Sequence, residues 1–232
     1  MTRLRAATWL IFGLALAALP ALGELGTASS PVFQVEFSNP GLSPSHWTLT
    51  LHTDGTGHFR SDRGSKVAAG PQGAQVGGDQ IQAPDVDRDI KVSSKFAERV
   101  FQTAQQQGLF NSGCESHLKV AFQGWKKLTY IGPEGNWGCE FNYSKDKEIQ
   151  SLGDSIVAVA ETVMEGARRE TLLQHDRLGL DSELEYLVEA AKDGRTLELR
   201  TIQGILSRLA ADPDVLQRVR KRARLLLAGI GS

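Results

Sequence analysis

Close to residue 144 the hydrophobic pattern of this chain changes its period from two to between three and four. Upstream, Phe33, Val35 and Phe37 alternate with polar residues, and so do Trp47, Leu49 and Leu51. Such alternation marks strands buried on one face only. Downstream, Ile149, Leu152, Ile156, Val159, Val163 and Ala167 are spaced by three and four, which draws one apolar stripe along a helix. The order predicts an α+β fold: an antiparallel sheet packed by two helices, followed by a short all-helical C-terminal region. At 232 residues the chain suits one domain or a small pair.

The local signals refine this plan. Asp54-Gly55 turns the chain between the strand ending near Leu51 and the one carrying Phe59. A three-residue loop keeps faces matched, and the register read from it sets Leu51 opposite Phe59 and His52 opposite His58. Residues 63–84 are rich in glycine and proline without periodicity, and read as a loop or insertion. Asp87 to Val92 follows as a further strand. Ser93-Ser94 then offers an N-cap to a helix carrying Phe96, Val100, Phe101 and Ala104, ending at Gly108. Leu118, Val120 and Phe122 alternate, Gln123-Gly124 turns, and Leu128 and Tyr130 alternate back. After a turn at 132–136, Trp137, Cys139, Phe141 and Tyr143 share one face. The long helix begins near Ser144 or Asp146. Three shorter helical patterns close the chain: one on Leu180, Leu184, Leu187, Val188 and Ala191 with Ser182 and Glu185 in capping-box spacing, one on Ile202, Ile205, Leu206 and Leu209, and one starting at Asp212-Pro213. The resulting organisation is an α+β domain over 31–170 and a helical region over 177–228.

Arg3 and Arg5 precede an apolar run from Ala6 to Leu19, followed by Pro20 and Ala21-Leu22-Gly23. A basic start, a short apolar run and small residues before Glu24 read as a cleaved signal peptide over 1–23, with a second site after Ala28. The run is shorter than the ~20 residues that a bilayer span needs. The expected location is therefore secreted or periplasmic, with no transmembrane helix after cleavage. Export gives Cys114 and Cys139, the only two cysteines, an oxidising compartment in which to pair. With 26 basic and 27 acidic residues, the chain lacks the positive excess expected of a nucleic-acid binder.

Signals for chemistry are sparse. The sequence has no Walker loop, dinucleotide fingerprint, HExxH motif, nucleophile elbow or EF-hand loop, and no cofactor is expected. His52 and His58, placed opposite each other, form a candidate metal or acid–base pair against the plainer reading of exposed hairpin residues. Asp85, Asp87 and Asp89 share a strand face, either as calcium ligands or as solvated acids. Trp125 and Trp137, near the cysteines, form a candidate ligand surface for sugars or aromatic rings. Arg218, Arg220, Lys221, Arg222 and Arg224 give the last helix a basic side that suits an acidic protein or envelope partner, or simply faces water.

The succession of strand, Thr53-Asp54-Gly55-Thr56-Gly57 hairpin, loop, strand and helix ending Gly108-Leu109-Phe110 resembles a small module of uncharacterised exported bacterial proteins, over at most residues 31–165. The resemblance implies fold and export, and carries no activity. The leading expectation is a non-enzymatic exported binding or envelope-associated protein. The alternatives are a small metal-dependent or His/Asp hydrolase using His52 and His58, and an adaptor acting through its C-terminal basic helices.

Overall fold

The computed structural model describes residues 30–62 and 85–230. The signal-peptide reading and the 63–84 loop lie outside these residues. Six strands form one antiparallel sheet: β1 (Val32–Ser38), β2 (His46–His52), β3 (Thr56–Asp62), β4 (Val86–Lys91), β5 (Trp125–Gly132) and β6 (Gly135–Phe141), in the order β4-β3-β2-β1-β5-β6. Between β4 and β5 lies α1 (Ser94–Gln106), followed by a single 3₁₀ turn at Gly108–Phe110. After the sheet come α2 (Lys147–His175), α3 (Leu180–Lys192), a 3₁₀ turn at Leu199–Ile202, α4 (Gln203–Ala211) and α5 (Gln217–Ile230). The α+β architecture is thus as the change of period requires.

One face of the sheet is dry. Phe33, Val35, Leu49, Leu51, Phe59 and Leu128 form a first core with α1 and the first two-thirds of α2. Ser93 caps α1 by accepting from the Phe96 amide at 3.2 Å, and Asp146 caps α2 by accepting from Glu148 and Ile149. Such caps satisfy amides that have no partner within the helix. A second core starts with Leu172 and Leu173 in the last turns of α2 and continues through α3, α4 and α5. At 1.5 Å per residue, α2 is roughly 43 Å long, so one helix serves both cores.

Polar side chains stitch the two cores together. Arg169 is fully buried and donates to the Glu165 carbonyl at 2.7 Å, the Glu165 carboxylate at 2.6 Å and the Glu183 carbonyl at 2.7 Å. Arg88 of β4 donates to Glu170 of α2 at 2.7 Å. Glu198, held in the left-handed region at φ 55°, accepts from both the amide and the hydroxyl of Ser93. The residue that caps α1 is therefore itself fixed from the C-terminal region.

Several local expectations need correction. In the β2–β3 hairpin Leu49 faces Phe59, Thr50 faces His58 and Leu51 faces Gly57. The loop is three residues long but occupies 53–55, because Gly55 takes φ +81° and Asp54 accepts from the Thr56 amide and hydroxyl. That pins the turn one residue earlier and moves the register by two. Faces are preserved, but His52 and His58 are not opposite each other. Leu118, Val120 and Phe122 form no strand and stand 50%, 41% and 50% exposed. Ser182 does not cap α3: the helix has already begun at Leu180, and the Ser182 hydroxyl donates to the Gly179 carbonyl. Likewise α5 starts at Gln217, because Asp212 holds the Asp214 amide in a turn instead of opening the helix.

Candidate functional site

Cys114 and Cys139 form a disulfide with Cα atoms 5.6 Å apart. It ties the segment after α1 to β6, so it fixes the far end of the sheet. Trp125 and Trp137 do not make one platform. The pleat sends Trp125 to the open face of β5, where it meets Phe122 edge-on, and Trp137 to the core side of β6.

The histidine and aspartate candidates meet, though in a different combination. Across the β3–β4 pair, His58 sits between two carboxylates, with Nδ1 2.9 Å from Asp89 and Nε2 3.0 Å from Asp87. The hydrogen bond to Asp89 comes first in raising the His58 pKa above its ordinary 6.5; desolvation opposes it, and the charges of both carboxylates and the Asp87 hydrogen bond add to it. This group stands on the open, solvated sheet face with His58 about half exposed. No set of three His, Cys, Asp or Glu residues among the described residues is placed to hold a metal ion.

The basic side of α5 is largely engaged with the neighbouring helices at the surface. Arg218 binds Asp181 of α3 at 2.7 Å, Arg222 binds Asp181 and Glu185, and Arg224 donates to the Ala210 carbonyl. Lys221 is exposed. The run therefore closes the helical core as well as decorating it.

A partly enclosed concavity lies where none of those candidates do. A cleft of about 530 Å³ opens between the β1–β2 loop, the middle of α2, and α3 with the chain that follows it. Its floor includes Phe37 and Trp47, stacked with centroids 5.0 Å apart, while Leu42 and Tyr186 flank its mouth. A pocket with apolar walls and a few convergent polar groups is the usual form of a small-molecule site.

Its charged residues are not equivalent. Arg168 is paired with Glu183 at 2.8 Å. Arg195 lies 5.4 Å from the centre of the Tyr186 ring and also donates to the Tyr186 hydroxyl and to Asp193. Glu165 is held by Arg169. Glu161 has no hydrogen-bond or ion-pair partner among the described residues. Its side chain is exposed to solvent at the cleft, and the neighbouring protein surface displaces only part of the water around the carboxyl. That partial desolvation first, and the like charge of Glu165 second, push its pKa above the usual carboxylate range. The cleft thus combines aromatic and aliphatic surface with one carboxylate that lacks a counter-charge.

Sequence reasoning missed this site because its walls come from three separated segments. One signal was present: Glu161, Glu165 and Arg168 interrupt α2 at helical spacing, beside the apolar stripe. No helix among the described residues is long and apolar enough to cross a membrane. No protein-family model and no curated protein matches the chain.

Proposed function

We propose that this chain is an exported binding protein, not a catalyst, and that it takes its ligand in the cleft between the two cores. The ligand is a small organic cation with an apolar or aromatic body. The unpartnered Glu161 carboxylate, next to the Phe37–Trp47 stack, carries this reading. An ammonium group placed there supplies the missing counter-charge, and its apolar body packs between Leu42 and Tyr186, which stand exposed at the mouth above the buried Phe37–Trp47 floor. No histidine or cysteine lines the cleft, and Arg168, Arg195 and Glu165 are already engaged with protein groups. These are features of a site that holds a ligand by shape and charge.

Export rests on the basic, apolar and small-residue succession at the N-terminus and on a disulfide that suits an oxidising compartment. Mass spectrometry of the exported protein should find a mature N-terminus at Glu24 or Ser29. Binding is read from tryptophan fluorescence, since Trp47 lies at the cleft. Phenethylamine should change the emission saturably, and its uncharged N-acetyl derivative should bind at least about tenfold more weakly, a loss of ~1.4 kcal/mol. Equal binding of the two compounds, or no response to either, overturns the assignment.

A further inference from the structure

Residues 117–123 alternate like a strand and carry β-forming side chains, yet they pair with no strand among the described residues. The segment is tethered at both ends. Ser116 donates to the Tyr143 carbonyl, and Asn142 holds the Ala121 carbonyl and the Gln123 amide. Close by, β6 forms one edge of the sheet. The two edges differ in their protection. Edge strand β4 carries Asp87, Arg88, Asp89 and Lys91, a charged rim that discourages added strands. Over its whole length β6 carries a single charge, Glu140.

We propose that residues 118–123 dock as a seventh strand on β6 of a second copy of this chain. Pairing is antiparallel, with Val120 opposite Cys139. This register matches the two segments position by position. Phe122 falls opposite Trp137, Ala121 opposite Gly138, Lys119 opposite Glu140 and Gln123 opposite Asn136. Leu118, Val120 and Phe122 then extend the apolar side of the sheet and leave water. On the other face an ion pair and an amide pair form. Lys119 and Glu140 are exposed and have no partner among the described residues, so charge complementarity favours this occupant. The Lys119 backbone is likewise without a partner there and is available to the new ladder, while the Ala121 carbonyl and Gln123 amide exchange Asn142 for β6 and the Val120 amide is released from the Leu118 carbonyl as the segment straightens.

The same chain cannot supply this strand to itself. Lys126 lies beside Phe141, at the opposite end of β6 from Asn136. Those ends are roughly 17 Å apart at ~3.4 Å per residue. Gln123 precedes Lys126 by three residues, a reach of at most about 11 Å, and it also has to cross to the far side of β6. The register therefore exists only between molecules.

Sedimentation of the purified mature chain over a wide concentration range tests this. The wild type should self-associate, and Val120→Asp/Phe122→Asp should weaken that association at least about tenfold. Both positions are exposed, so the thermal transition of the variant should match the wild type and show that it is folded. Lys119→Glu and Glu140→Lys should each weaken self-association, and a mixture of the two variants should associate again. Only a contact between molecules restores binding on mixing. A wild type that remains monomeric throughout, association unchanged by the aspartates, or a mixture no stronger than its components overturns the proposal.

Discussion

Opening the Cys114–Cys139 bond should cost this protein several kcal/mol and should do so unevenly. The bond closes a loop with a sequence separation of 25. In the chain-entropy description, closing about 25 residues removes enough freedom from the unfolded chain to stabilise the fold by ~3.5 kcal/mol. Both cysteines are buried, at 5% and 7% exposure, so the thiols left by reduction keep nearly the same packing. For the double variant, Cys114→Ala/Cys139→Ala is preferable to serine, which buries two hydroxyls. With a urea slope of ~2 kcal/mol/M, the unfolding midpoint should fall by roughly 1.5–2 M. Hydrogen exchange should locate the loss. Amides of β6 and of the chain just after α1 should lose protection first, because the bond joins those segments. Amides in α3, α4 and α5 should change least, because they pack in the separate second core. A midpoint shift below about 0.3 M, or earlier exposure of the C-terminal helices, refutes the reasoning.

Three other expectations follow from buried or paired charges. Arg169→Ala should destabilise by about 2–3 kcal/mol, because it strips a counter-charge from Glu165 and a donor from the Glu183 carbonyl. Arg169→Met combined with Glu165→Gln should cost less in the same urea titration. Glu198→Ala loses two hydrogen bonds to Ser93 and should cost about 1–2 kcal/mol. Glu198→Gly should be less damaging by ~0.5–1 kcal/mol, since glycine relieves the left-handed strain. The raised pKa of His58 makes its stabilisation complete below the unfolded value near 6.5, and lost as pH rises through the folded value. Proton NMR should place the His58 midpoint above 6.5, and Asp89→Asn should lower it.

How much of this was legible beforehand depended on the range of the interaction. The alternation of Phe33, Val35 and Phe37 and the stripe from Ile149 to Ala167 report burial directly, so the sheet and the long helix were readable. Local capping chemistry was readable at Ser93, where the side chain does hold the Phe96 amide. It misled at Ser182, where the same residue pattern sits inside a helix already begun. The hairpin register turned on Gly55 and on two bonds to Asp54, a choice between loop positions that alternation does not distinguish. Leu118, Val120 and Phe122 show the opposite limit. Their pattern states a preference for pairing, while pairing itself needs a free edge in a matching register, and the described residues give them no strand partner. The cleft was least legible of all. Phe37, Glu161 and Tyr186 meet only after β1, α2 and α3 have packed, and nothing in their separate segments announces it.

The place where an organic cation binds decides whether the cleft is a ligand site. Two-dimensional NMR of the isotopically labelled protein without residues 1–23, titrated with phenethylamine, observes that place directly. Shifts should concentrate at Trp47, at residues 157–168 of α2 and at 186–196, and should saturate together. In Glu161→Gln the same set should move only at ligand concentrations at least about tenfold higher, while the unliganded variant, relieved of an uncompensated carboxylate, should be no less stable than the wild type. Saturable shifts centred on Trp125 or on the His58 carboxylates, or cleft shifts that Glu161→Gln leaves unchanged, contradict the assignment.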